Sequence, residues 1–180
     1  VECVNSIHFK NASMWKARMK LYVVNGSPNS RKVLAVASRL QLDLEVIYLS
    51  FMDGDLQQPR FLDLNPCGRV PVLVDGDFVL WESNAIMAYL SDSAGGSPLY
   101  PADLRERARV DRWMNWELAH FNNELGCLGW EEVAKPAFLG QVADGRLVER
   151  AAGRLLREAR VLEAQLAEGP YILGAQITLA

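Results

Sequence analysis

Cysteine is scarce and scattered: the three thiols, Cys3, Cys67 and Cys127, form no CxxC pair, which removes both a disulfide framework and a sequence-encoded zinc site. Reduced thiols in a cytoplasmic setting are expected, with Cys67 and Cys127 as small buried hydrophobes. Nor is there an excess of basic charge. A formal net charge of −3 and a pI near 5.5 leave no patch to attract nucleic acid. No apolar run approaches the ~20 residues that a bilayer demands, and residues 1–18 lack the continuous apolar stretch of a secretory signal. That segment reads as an extension expected to be disordered, and its sequon Asn11-Ala12-Ser13 as chance. What remains is a chain of 180 residues, half of it apolar, long enough for one sizeable domain or two small ones.

Residues 20–24, Lys-Leu-Tyr-Val-Val, read as a short buried strand that runs into the breaker cluster Asn25-Gly26-Ser27-Pro28-Asn29-Ser30. Apolar residues at Val33, Leu34, Val36, Ala37 and Leu40 then fall at helical spacing. Residues 44–49 favour a second strand, which the intervening helix should make parallel to the first. Residues 51–58 form a polar connection, and 59–64 a short helix or turn. Gly95, Gly96, Pro98 and Pro101 mark 94–103 as a linker. Beyond it, 104 to about 125 predicts one long helix capped near Asp103, 126–140 a loop or broken helix, and 146–167 a second amphipathic helix.

The most informative stretch is 68–86. Two apolar runs, 72–74 and 78–81, flank Asp75-Gly76-Asp77, a tight hairpin signal. Glu82-Ser83 closes the second strand and opens a run of helical spacing at Ile86, Met87, Tyr89 and Leu90. A helix start carries unpaired N–H groups and about half a positive charge, so it holds a carboxylate, while Glu82 suits an ammonium. The pair therefore reads either as an ordinary cap or as a seat for an amino-acid head group. Val70-Pro71 opens the preceding strand; a proline there cannot donate to the ladder, and in the cis form it leaves the Val70 backbone facing outward for an extended peptide.

Asn65-Pro66-Cys67-Gly68-Arg69-Val70-Pro71, then a hairpin and Trp81-Glu82-Ser83-Asn84-Ala85-Ile86, closely resembles the glutathione-binding half of the cytosolic glutathione S-transferases. The chain looks most like bacterial members related to the theta and phi classes, over residues 19–180. The resemblance implies an α/β thioredoxin-like domain with a mixed four-stranded sheet at 19–93, the linker at 94–103, and an all-helical domain at 104–180. In the family a buried helix follows the position of Thr178, so the helical half is expected to be truncated here.

The implied chemistry is activation of the glutathione thiol for attack on an apolar electrophile. Ser27 matches the catalytic serine of theta- and phi-like members, with Asn29 and Ser30 as alternatives in the same loop. Residue-by-residue transfer gives Glu82 and Ser83 for the γ-glutamyl head group, Val70 for main-chain pairing, Pro71 as the shaping cis-proline, and Arg69 nearby as a carboxylate partner; where the phi pattern has a His-Lys pair for the glycine carboxylate this chain has Leu56-Gln57, which leaves Gln57 as a candidate glycine contact by hydrogen bond only. Trp113, Trp116 and His120, at i, i+3 and i+7, are candidates for the electrophile pocket, or for core and surface residues. Glutathione is the expected co-substrate, with no metal, no nucleic acid and no membrane, and family members imply a homodimer through the third and fourth helices. The same fold also serves as a non-catalytic interaction module in the gamma subunit of elongation factor one and in stringent starvation proteins. That alternative does not require Ser27, Glu82 and Ser83 to occur together.

Overall fold

The computed structural model describes residues 18–180. Cys3, the sequon and the expected disorder of the leading segment lie outside the described residues, save that Arg18 pairs with Asp43. β1 (Lys20–Val24) buries Leu21 and Val23 completely, as its apolar alternation requires. α1 (Pro28–Arg39) starts five residues before the apolar stripe, because Ser27 caps it and Pro28 fits the first turn without needing an N–H partner. β2 (Glu45–Leu49) lies parallel to β1 with Leu21 opposite Val46. A short helix, α2 (Pro59–Leu62), leads to β3 (Val72–Asp75) and β4 (Phe78–Trp81), joined by a turn in which Gly76 supplies a φ of 65°.

The sheet order is β2-β1-β3-β4, with β3 antiparallel to both neighbours. This is the expected mixed four-stranded, thioredoxin-like sheet. α3 (Ser83–Ser93) follows β4 and packs on α1, and Val33, Val36, Ala37, Ile86, Met87 and Leu90 form their shared core against the sheet. The connection 94–103 is not detached from this core. Leu99 is buried within it, beside Val110 and Met114 of the next helix, and Arg107 pairs with Asp92 and donates to the Pro101 carbonyl.

The helical half departs from expectation. α4 (Leu104–Trp116) is capped by Asp103, whose carboxylate accepts from the N–H groups of Arg105 and Glu106 at 3.0 Å. The chain then stays helical to Leu139, so of the two readings for 126–140 the structure has the broken helix and not the loop. A π turn at Glu117–Phe121 leads to α5 (Asn122–Gly129), and a second at Trp130–Ala134 to α6 (Lys135–Leu139). Gly126 and Gly129 each cost a helix only about 1 kcal/mol, and Pro136 is tolerated where the bonding pattern has already been interrupted. α7 (Gly145–Leu166), capped by Asp144, packs along α5. Among the described residues no helix is long and apolar enough to cross a membrane.

The two described cysteines also correct the sequence reading. Cys67 is exposed and Cys127 only partly covered. Cys67 lies in a tight turn whose inward groups are those of Asn65, so its thiol is turned out.

Candidate functional site

The first loop ends at the N-terminus of α1. Ser27 is half-buried there, with an extended backbone, and its Oγ accepts from the Ser30 N–H at 3.2 Å. That contact uses a lone pair and leaves the hydroxyl proton free to donate. Ser30 is 1% exposed and its Oγ accepts from the Val24 N–H, so it braces the loop from inside. Asn29 faces across the seam: its Oδ1 accepts from the Ser83 hydroxyl at 3.4 Å, joining the first loop to the start of α3.

Glu82 precedes that helix with φ 75° and ψ 116°, a conformation L residues rarely adopt, and its exposed carboxylate does not cap α3. The constraint comes from both sides. Trp81 must stay paired opposite Val72, and Ser83 must already be helical, so the reversal falls on the residue between them. Because Trp81 is opposite Val72, the helix N-terminus, with its unclaimed N–H groups, lies beside the start of β3.

On the neighbouring edge the Val70-Pro71 peptide bond is cis. Among the described residues no backbone group pairs with the N–H or C=O of Val70. Arg69 is exposed, and its carbonyl accepts from Asn65 Nδ2 at 2.8 Å. Asn65, 3% exposed, also accepts from the Cys67 N–H at 3.0 Å, so one buried amide fixes the whole 65–69 turn. Its role was not read from the sequence, where an Asn before Pro-Cys-Gly looks like any turn residue. Gln57 lies beside this turn: a Cβ on Gly68, whose φ is 61°, would stand 3.0 Å from its Nε2.

The three aromatic-stripe candidates separate. Trp113 is buried and meets Trp116 edge to face at 5.0 Å, and Trp116 in turn meets Phe121 at 5.7 Å. Both tryptophans, with Lys32, Asn84, Glu117 and Phe121, border a cavity of ≈ 210 Å³ that the Gly26 loop does not line. His120 is on the exposed side instead. The i+7 spacing assumed a regular helix, and the π turn inserts one residue between Trp116 and Asn122, rotating His120 by roughly 100° away from the tryptophan face.

Two further charged residues enter that the sequence did not single out. Lys32 Nζ donates to Asn84 Oδ1 at 3.2 Å and to Glu117 Oε2 at 2.9 Å, and Asn84 Nδ2 donates to the Met114 carbonyl at 2.9 Å. A lysine on an amphipathic helix gives no sign of such a seam.

Residues 17–92 match the family model of the glutathione S-transferase N-terminal domain. Glutathione S-transferase 3 of Zea mays is 37% identical over 166 residues, 91% of this chain and 74% of that protein. The chain belongs to the glutathione S-transferase family. Human glutathione S-transferase theta-2B is 33% identical over 90% of this chain and 67% of its own length. Among solved transferases, one from Phanerochaete chrysosporium, in complex with oxidized glutathione, superposes with a TM-score of 0.80 at 29% identity, over 90% of this chain and 74% of that one. The expected family is thus met, by a plant and a theta-class relative.

Proposed function

We propose that this transferase binds glutathione in its thioredoxin-like half, holds the sulfur as thiolate at Ser27, and directs it at an electrophilic carbon of a small apolar substrate. The sulfur loses its proton to solvent and forms the S–C bond, while the leaving group, or the displaced π pair of an adduct, takes up the charge. The Glu82 carboxylate receives the γ-glutamyl ammonium, and the backbone N–H groups at the start of α3, that of Ser83 among them, receive its carboxylate. The free N–H and C=O of Val70, beside the cis Pro71, take the cysteinyl backbone as an added strand. Arg69 and Gln57 attend the glycine carboxylate, Arg69 with charge and Gln57 with a hydrogen bond only.

Lowering a thiol pKa from about 8.5 by two units takes about 2.7 kcal/mol of preferential stabilisation. A hydroxyl donor to the thiolate supplies about 1.5–3 kcal/mol and a helix N-terminus about 0.3–1. Ser27 sits at the N-cap of α1 and so combines both. Ser30 is buried and Asn29 is engaged with Ser83, which favours Ser27 over its two alternatives.

The observation that carries this reading is the Ser83–Asn29 hydrogen bond, because it brings the head-group seat and the thiol-facing loop to one place. The apolar cavity beside Trp113 and Trp116 supports a hydrophobic electrophile. The kinship supports a cytoplasmic homodimer paired through α3 and α4. Retention on glutathione-agarose and the ultraviolet thiolate absorbance of bound glutathione test the function. Retention together with a thiolate that forms near neutral pH in the parent protein, but not in Ser27→Ala, is the expected result. Failure to bind glutathione would instead favour an interaction module.

A further inference from the structure

We infer that Lys32 is a positioning residue that aligns the thiol-activating end of α1 with the glutathione-binding end of α3 and with the electrophile side of α4. The inference rests on the function proposed above. Lys32 is five residues beyond Ser27 on α1, and Asn84 is the residue after Ser83 on α3. One ammonium therefore joins the two helices at their functional ends, and its second partner, Glu117, opens the π turn directly after Trp116.

The rest of the packing does not do this work. The apolar contacts between α1 and α3, from Val33 to Ala37 and from Ile86 to Leu90, run from about one to three turns along the helices and fix them inward of Lys32 and Asn84. At the N-terminal ends, among the described residues, two side-chain bonds cross from α1 to α3: Asn29 with Ser83 at 3.4 Å, near the limit of a hydrogen bond, and Lys32 with Asn84. Asn84 is itself held by the Met114 carbonyl, so the ammonium closes a ring through α1, α3 and α4. Hydrogen-bond strength falls steeply with angle, so a small pivot of α1 takes the Ser27 hydroxyl off the sulfur before it unseats the tripeptide.

Lys32 and Glu117 are about a quarter to a third exposed, 27% and 30% at the side chain, so the pair contributes modestly to stability. Its effect falls on the reaction instead. Lys32→Met keeps the aliphatic stem and deletes the charge, Lys32→Arg restores a cation, and Glu117→Gln keeps the shape of the second partner.

The measurements are the thiolate titration of bound glutathione and the kcat and KM for glutathione with a generic aryl halide. In Lys32→Met the apparent pKa of the bound thiol rises and kcat falls roughly fivefold, while KM changes less than twofold; Lys32→Arg recovers most of kcat, and Glu117→Gln shows an intermediate loss. A thiol pKa and kcat unchanged in Lys32→Met, or a loss that tracks the melting temperature and is not recovered by Lys32→Arg, overturns the inference while the function stands. Absence of any bound thiolate in the parent protein overturns the function and the inference with it.

Discussion

Single residues divide between those the sequence names for a reason it can supply and those whose role depends on what surrounds them. Ser27 is legible as a turn residue before a helix, but its free hydroxyl proton follows from the Ser30 N–H that occupies its oxygen. Capping and the proposed thiol donation separate on substitution. Ser27→Gly loses only a few tenths of a kcal/mol of cap, so its melting temperature should barely move. Its bound thiol pKa, read by absorbance titration, should nonetheless rise by about one to two units as the donor's 1.5–3 kcal/mol is lost. Glu82 shows the opposite balance. Holding an L residue at φ 75° costs about 1–3 kcal/mol, whereas glycine adds about 0.5–1 of unfolded-state entropy. Glu82→Gly is therefore expected to melt at or above the parent temperature, while KM for glutathione rises at least tenfold through loss of the proposed head-group partner, on the order of a charged hydrogen bond.

Elements are where periodicity succeeds and then stops. The strands, α1, α3, the start of α4 and α7 all follow from apolar spacing and caps, because each buries one face on a neighbour. The π turns do not, since nothing in Trp-Glu-Leu-Ala-His-Phe marks the extra residue that turns His120 outward. The 65–69 turn shows how an element end can depend on one side chain. Asn65→Ala removes two hydrogen bonds in a buried position, so a loss of about 2–3 kcal/mol in denaturant unfolding is expected, with glutathione affinity falling more than kcat. At the far end of the helical half, the buried Glu131 carboxylate accepts from the Asp144 N–H and from Lys135 Nζ, each at 2.7 Å, and these hold its pKa below the ordinary 4.5. The native state then binds a proton less readily than the unfolded chain, so the stabilisation is present above the unfolded value and is lost as pH falls through the lower folded one. Melting temperature against pH should show this decline in the parent protein below about pH 4.5, and Glu131→Gln should flatten that part of the curve.

At the scale of the molecule, the larger of two apolar clusters among the described residues crosses the linker. Leu99, from the glycine- and proline-rich connection, packs with Leu21, Ile86 and Val110, and its carbonyl accepts from the Leu179 N–H at 2.8 Å. Leu99→Ala should accordingly cost about 2–5 kcal/mol, far more than a linker residue would, and circular dichroism and tryptophan fluorescence should still report one coincident transition. The amino-acid sequence by itself determined the local facts: where the hairpin turns, where helices start, which loop carries hydroxyls, and through the order of these signals the family. Its reach ended with contacts between residues far apart in the chain. Whether Ser83 meets Asn29, whether Asn65 is buried, and whether Lys32 faces Asn84 and Glu117 depend on how α1, α3 and α4 are set against one another. Only the tertiary structure decides that, because the packing of apolar faces sets those distances while the polar residues between them carry no periodic signal of their own.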